Sequence, residues 1–242
     1  MTTKPLNRNM IKYLAVFAML LDHIAWTFLS FRTPTAQIFH VIGRITAPIM
    51  CFFLAQGYTY TRSFKKYALR LFVFALISEV PWWLMRDEAL FALSFNMIFT
   101  LFLSLLAVHV EATKESTAEK VLFIGLICVL SYWCDWKYFA VLWSVGFYKC
   151  RGSVKKCCLW QVIVGLLYCF YAFYGSFSSS GDMVHALASS AFSLGTFLSV
   201  PLLLLYNGES GKKTKGGKWF FYVFYPLHMT VLGLIHVMLA IN

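Results

Sequence analysis

Long apolar runs, separated by short polar interruptions, occupy almost the whole of this 242-residue chain. A membrane-spanning helix needs about 20 predominantly apolar residues, and few residues are left between such runs. The pattern predicts spans at approximately 11–30, 38–60, 67–85, 91–110, 120–134, 137–149, 158–175, 183–206 and 219–240. The fifth and sixth runs are short, and residues 131–137 could instead form a turn within a re-entrant pair. We expect an all-α, polytopic membrane helical bundle of about nine transmembrane helices, with one integral-membrane domain over residues 1–242.

The basic residues of the loops predict how the bundle is oriented, because short loops rich in lysine and arginine stay in the cytoplasm. The amino-terminal segment and every second loop after it carry two to four basic residues, whereas the intervening loops hold only Arg32, Arg86 and Lys137. This alternation favours nine crossings of the cell membrane, with a cytoplasmic N-terminus and an external C-terminus. The first run is too long for a cleavable signal core and no cleavage pattern follows it, so we interpret it as a span.

The amino-acid composition indicates which partners the protein binds. The chain is 60% hydrophobic and 13% charged, with a formal net charge of +11. Because the basic residues are spread among loops instead of gathered on one face with stacking aromatics, we expect a lipid bilayer and no nucleic acid. Seven scattered cysteines form no CxxC pair and no zinc-like spacing with histidine. We therefore expect free thiols and no metal site.

Ionisable and amide side chains occur deep inside several predicted spans. A charge at the bilayer centre costs several kcal/mol and normally faces a protein interior or a water-filled cavity. At about 1.5 Å per residue, His23 lies about 16 Å beyond Lys12, near the middle of a hydrocarbon core about 30 Å thick. By the same count, the candidate catalytic residues share one buried zone: Asp22, His23, Arg44, Glu79, Asn96 and His228.

These buried groups admit a structural and a chemical interpretation. Arg44 could form a clamp between helices with Asp22 or Glu79. Histidines beside carboxylates also suit proton transfer near neutral pH. Asp22 and His23 diverge by about 100° on a helix, so we expect Asp22 to pair with Arg44 and an acid such as Glu79 to orient His23. Three other histidines lie near predicted span ends, where interfacial packing is the expected role: His40, His109 and His185.

The order of short motifs along nearly the whole chain resembles the TraX family, named for the conjugative-plasmid protein that acetylates the amino terminus of pilin. The motifs are Lys12 with Leu21-Asp22-His23, Ile42-Gly43-Arg44-Ile45, Gln56-Gly57-Tyr58, Lys66-Tyr67-Ala68-Leu69-Arg70-Leu71, Ile77-Ser78-Glu79-Val80-Pro81, Asn96 with Phe99-Thr100-Leu101, Tyr206-Asn207-Gly208-Glu209 and Phe224-Tyr225-Pro226-Leu227-His228. Residues 111–201 carry little of the match. Ser210 departs from it, because an arginine is expected there.

The resemblance implies a membrane-bound acetyltransferase that takes its acetyl group from acetyl-CoA on the cytoplasmic side. Related transmembrane acyltransferases share a basic residue and a histidine with ten residues between them, which is the spacing of Lys12 and His23. The implied acceptor is an amine or hydroxyl of unknown identity, such as a peptide, a pilin N-terminus or a glycan. The residues expected at the coenzyme are Lys12, Tyr206, Asn207, Glu209, Lys212, Lys213, Lys215, Lys218 and Tyr225.

Two alternatives stay open. The lysine-rich loop after residue 206 has glycines and basic side chains that suit phosphate binding, yet a solvated loop that follows the positive-inside rule would look the same. A proton-coupled transporter would use the same buried acids and histidines as a relay. That interpretation lacks the internal repeat found in many transporters, and it does not need the spacing of Lys12 and His23.

Overall fold

Helices account for most of the computed structural model, which describes residues 4–89, 92–211 and 217–241. Over these ranges the only strand-like pairings are two isolated bridges, Leu6 with Tyr206 and Phe95 with Cys134. The helices are α1 (Arg8–Phe28), α2 (Pro34–Gly43), α3 (Thr46–Tyr60), α4 (Phe64–Arg86), α5 (Met97–Thr113), α6 (Thr117–Leu130), α7 (Lys137–Lys149), α8 (Val154–Ser180), α9 (Met183–Ser190), α10 (Ser199–Leu204) and α11 (Gly217–Ile241). Segments Ser131–Trp133 and Ala191–Leu198 are 3-10 helices. The all-helical prediction is confirmed.

Within the described ranges, six helical segments are long and apolar enough to cross a membrane: Arg8–Phe28, Pro34–Tyr60, Phe64–Arg86, Val154–Ser180, Met183–Leu204 and Trp219–Leu239. Large apolar side chains on several of them are exposed, among them Phe17, Leu166 and Phe170, as expected of a surface that contacts lipid. These features indicate a multi-pass membrane protein. Helices α6 and α7 have 14 and 13 residues, which at about 1.5 Å per residue is short of the hydrocarbon core. Nine crossings and the orientation of the termini remain predictions.

Two predicted spans are not continuous helices. The span predicted at 38–60 is interrupted at Arg44, where α2 ends, because Pro48 has no amide hydrogen to bond the Arg44 carbonyl. The span predicted at 183–206 contains the 3-10 segment Ala191–Leu198 between α9 and α10. Weak helix formers such as Ser193 and Gly195 lie in this segment, and Pro201 cannot bond the carbonyl four residues before it.

The helices divide into two compact units. The first unit comprises residues 1–49 and 152–212, and the second comprises residues 50–151 and 213–242. In the first, α1 packs on α2, α2 on the 3-10 segment 191–198, and α8 on α9. In the second, α11 packs on α4, α4 on α5, and α5 on α6 and α7. A single domain over the whole chain remains a prediction.

Gly195 allows the 3-10 segment to touch α2 backbone to backbone, since a Cβ there would overlap the carbonyl of Val41. We expect Gly195→Ala to lower the free energy of unfolding by about 1–3 kcal/mol, the usual cost of overpacking. Thermal melting in detergent measures this loss. Gly175→Ala in α8 is the matched control, because a Cβ at Gly175 meets nothing within 4 Å. Two variants that melt alike would contradict the close contact.

Candidate functional site

Asp22 is the centre of a buried charged network in the first unit. Its Oδ1 accepts a hydrogen bond from Nδ1 of His40 at 2.7 Å, and its Oδ2 pairs with Nη2 of Arg44. Asp22, His40 and Arg44 are 7%, 1% and 7% exposed. The predicted pairing of Asp22 with Arg44 is confirmed. The interfacial role expected for His40 is wrong, because this side chain is buried against the carboxylate of Asp22.

Local sequence features bring the three side chains together. The short connection after α1 returns the chain so that α2 packs on α1. Gly43 makes room for the carboxylate, since a Cβ at this position would overlap the side chain of Asp22. From α8, the hydroxyl of Tyr168 accepts a hydrogen bond from Nη1 of Arg44 at 3.2 Å. The guanidinium carbon of Arg44 also lies 5.3 Å from the ring centroid of Phe192.

The network determines which nitrogen of His40 carries hydrogen. Asp22, held by the guanidinium of Arg44, is an ionised acceptor, so Nδ1 of His40 must be the donor. The second ring nitrogen, Nε2, is buried and makes no hydrogen bond to any residue in the described ranges. A buried polar atom without a hydrogen bond costs about 1–3 kcal/mol. The bond from Nδ1 to Asp22 therefore orients the ring of His40, whereas Nε2 has no hydrogen-bond partner among the described residues.

Aromatic rings surround the imidazole of His40. Its ring centroid lies 4.6 Å from that of Trp26, 5.3 Å from that of Phe31 and 6.2 Å from that of Phe192. Phe31 lies in the connection between α1 and α2 and is partly exposed. The imidazole is thus bordered by aromatic rings from α1, from the connection between α1 and α2, and from the 3-10 segment 191–198.

His23 follows Asp22 on α1 and is also buried. Its backbone carbonyl accepts a hydrogen bond from Oγ1 of Thr27 at 2.7 Å. Lys12, on the same helix, is partly buried and lies three turns earlier, about 16 Å along the axis. The expected orientation of His23 by Glu79 remains a prediction, because these residues belong to different units.

Asn96, in the second unit, caps the first turn of α5. Its Oδ1 accepts hydrogen bonds from the backbone amides of Ile98 and Phe99 at 2.9 and 3.2 Å. Its Nδ2 donates to the carbonyl of Ala75 on α4 at 2.8 Å. Both ends of the side-chain amide are therefore engaged in holding α5 against α4.

Glu79 and Tyr225 satisfy the two amides that Asn96 does not reach. Oε1 of Glu79 accepts from the backbone amide of Asn96 at 3.4 Å, and the hydroxyl of Tyr225 accepts from that of Met97 at 3.1 Å. The amino terminus of a helix favours a negative charge at this place. Oε2 of Glu79 is buried and makes no hydrogen bond to the residues that the structure describes.

His228 belongs to the same unit and lies on α11, one turn after Phe224. Its Nδ1 donates to the carbonyl of Phe224 at 2.8 Å, and the two rings stack with centroids 4.9 Å apart. The six predicted catalytic residues thus divide into two groups: Asp22, His23 and Arg44 in the first unit, and Glu79, Asn96 and His228 in the second. A single zone formed by all six remains a prediction.

The predicted coenzyme loop is joined to the start of α1 by backbone hydrogen bonds. The amide of Leu6 donates to the carbonyl of Leu205 at 3.2 Å, and that of Asn207 donates to the carbonyl of Leu6 at 2.9 Å. The amide of Arg8 donates to the carbonyl of Glu209 at 2.9 Å. Residues 205–209 therefore lie at the end of α1 nearer to Lys12.

Within this loop, Tyr206 is buried and Asn207 is exposed. Oδ1 of Asn207 accepts from the amide of Glu209 at 2.9 Å. Gly208 and Gly211 have φ of 85° and 73°, values that favour glycine. The remaining predicted coenzyme ligands, Lys212, Lys213 and Lys215, lie outside the described residues, as does the side chain of Lys218.

The fold and these buried groups define a multi-pass membrane protein with paired charges inside its spans. The family described as TraX protein matches residues 7–236, and the chain belongs to that family. A curated relative, the probable fimbrial assembly protein FimC of serogroup H1 from Dichelobacter nodosus, is 29% identical over 230 residues, which cover 92% of each chain. No solved structure matches. The predicted family is confirmed.

Proposed function

We propose that this protein is a membrane-bound acetyltransferase that moves the acetyl group of acetyl-CoA to an amine or hydroxyl acceptor. The observation that carries the proposal is the buried pair of Asp22 and Arg44 beside His23 in a membrane span of a chain of the TraX family. That family is named for a protein that acetylates pilin, and the relative FimC is named as a fimbrial assembly protein. Both names favour a pilin-like peptide as acceptor.

In the proposed reaction, the acceptor nitrogen or oxygen attacks the thioester carbonyl, the C–S bond breaks, and coenzyme A leaves. His23 acts as general base or briefly carries the acetyl group. Arg44 keeps Asp22 ionised and paired, which fits the contacts of both its terminal nitrogens. The side-chain amide of Asn96 is already bonded to the Ile98 amide on α5 and to the Ala75 carbonyl on α4. These bonds favour a role in which Asn96 positions α5, and they do not favour direct contact with an oxyanion. Within the second unit, Glu79 bonds the amide of Asn96 and His228 bonds the carbonyl of Phe224.

The coenzyme would bind near Lys12 and residues 206–211. This placement fits the first unit, because that loop is hydrogen-bonded to residues 6 and 8 at the amino end of α1. Its positive-φ glycines at 208 and 211 permit a backbone of the kind that binds anions. The lysines at 212, 213, 215 and 218 would supply positive charge for the phosphates.

The test is an assay of the purified protein in detergent or nanodiscs. We expect saturable binding of acetyl-CoA and release of coenzyme A thiol that depends on a pilin-like peptide with a free amino terminus. The same peptide with a blocked amino terminus is the control, and a hydroxyl-bearing glycan tests the other acceptor class. Absence of both coenzyme binding and transfer would refute the proposal. Proton-driven solute uptake without coenzyme binding would instead identify a transporter.

A further inference from the structure

His40 has the geometry of a histidine prepared to accept a proton. Its Nδ1 is hydrogen-bonded at 2.7 Å to Asp22, whose other oxygen pairs with Arg44. A carboxylate that receives the hydrogen of one ring nitrogen fixes the tautomer and stabilises the charged ring formed when the other nitrogen is protonated. The lone pair of His40 is therefore on Nε2, the atom that has no hydrogen-bond partner among the described residues.

A purely structural role does not explain this arrangement. A side chain that only donates, such as the indole of tryptophan, could bond Asp22 without burying a second polar atom. In His40, Nε2 is instead buried without a hydrogen-bond partner among the described residues, in an imidazole whose ring neighbours include Trp26, Phe31 and Phe192. A hydroxyl or amine of a bound molecule would satisfy this nitrogen.

We propose that His40 is a second catalytic histidine, and that its Nε2 takes the proton lost by the acceptor amine or hydroxyl during acetyl transfer. This inference rests on the proposed acetyltransferase function. In this division of roles, His40 takes the proton of the acceptor, and His23 contacts or carries the acetyl group. Two of the rings beside the imidazole reach the protein surface: Phe31, in the short connection between α1 and α2, is partly exposed, and Trp26 is exposed.

The step balances without a further reactant. In direct transfer, the lone pair of the acceptor nitrogen or oxygen forms a bond to the acetyl carbonyl carbon, the C–S bond breaks, and its electron pair leaves on the thiolate of coenzyme A. When His23 carries the acetyl group, a ring nitrogen of His23 first displaces that thiolate. The acceptor then attacks the acetyl carbon, and the C–N bond to His23 breaks with its electron pair returning to the ring. Nε2 of His40 takes the acceptor proton, and the imidazolium is stabilised by Asp22. That proton then passes to the thiolate, which restores neutral His40 and yields the thiol.

The decisive variant is His40→Asn, because its amide nitrogen replaces Nδ1 as the donor to Asp22 while the proton acceptor is removed. Two acceptors are compared: a pilin-like peptide amine, and hydroxylamine, which is unprotonated near neutral pH and reacts without a base. We expect peptide acetylation to fall about 100-fold, the usual contribution of a general base. The rate with hydroxylamine should fall less than about tenfold, because hydroxylamine attacks without a general base and does not need Nε2 of His40.

Chemical rescue gives an independent readout. Added imidazole should restore part of the rate of His40→Ala. His185→Asn is the control, because His185 is exposed on α9 and its replacement should change neither acceptor.

The results separate this inference from the function on which it rests. An inactive wild-type protein that binds no acetyl-CoA refutes the acetyltransferase itself. An active wild type with unchanged peptide acetylation in His40→Asn overturns only the role of His40. An equal fall for both acceptors also overturns it, because that result reports a structural contribution. If His40→Ala does not fold, His40→Asn alone decides between these outcomes.

Discussion

Alanine in place of His23 is expected to lower acetyl transfer by about 100-fold or more with every acceptor, hydroxylamine included. Because His23 contacts or carries the acetyl group, its loss should slow transfer to every acceptor, by the factor of about 10²–10⁴ that a positioned catalytic side chain supplies. No other histidine lies on α1 of the described chain to replace it. The effect should appear in the catalytic rate, measured as thiol release under saturating acetyl-CoA. Coenzyme binding should be unchanged, since the loop at 206–211 lies at the other end of α1 from His23.

The control for this result is His185→Ala, in which an exposed histidine is removed. His23→Gln, which keeps most of the side-chain volume, shows whether lost packing contributes. Full activity of His23→Ala would remove the central claim of the proposed mechanism. A loss confined to peptide acceptors, with hydroxylamine unaffected, would instead exchange the roles assigned to His23 and His40.

Removal of the positive charge of Arg44 should give the largest loss of stability. In Arg44→Gln, Asp22 would lose its ion pair while its charge stays buried and its hydrogen bond from His40 is kept. Breaking a buried ion pair in this way usually costs about 3–5 kcal/mol. The measurement is the free energy of unfolding in mixed micelles, followed by tryptophan fluorescence.

Two further variants make this measurement specific. Asp22→Asn combined with Arg44→Gln removes both charges, so it should recover part of the loss seen in the single variant. Arg86→Gln breaks a more exposed pair with Glu88 and should cost less than about 1 kcal/mol. Equal effects of Arg44→Gln and Arg86→Gln would show that the buried pair does not stabilise the fold.

The sequence was sufficient to predict the pair of Asp22 and Arg44, because a charge in a membrane span needs an opposite charge and the two lie on consecutive predicted spans. His40 was missed for a physical reason. Hydropathy began the second span at residue 38, whereas Thr33 and Pro34 start α2 earlier and carry His40 into the helix. Burial of His40 also depends on Phe192, about 150 positions away in sequence, and no local pattern reports that contact.

Signals for other departures were present in the chain. Pro48 marks the interruption that ends α2, and the weak helix formers around Gly195 mark the 3-10 segment. Asn96 stands immediately before an apolar run, which is typical of a helix cap, so the start of α5 at Met97 was readable. What could not be read is how Glu79 and Tyr225 complete that cap, because they come from α4 and α11.

The position of the buried pair on the first two helices matters for how the chain enters the bilayer during synthesis. Alone, Asp22 would oppose insertion of α1 by about 2.5–3.5 kcal/mol. Arg44 emerges from the ribosome only 22 residues later, a few seconds at about 5–20 residues per second. Tyr168 follows Arg44 by a further 124 residues. The hairpin of α1 and α2 can therefore enter the lipid with its charges already neutralised, before the helices that complete the first unit have been made.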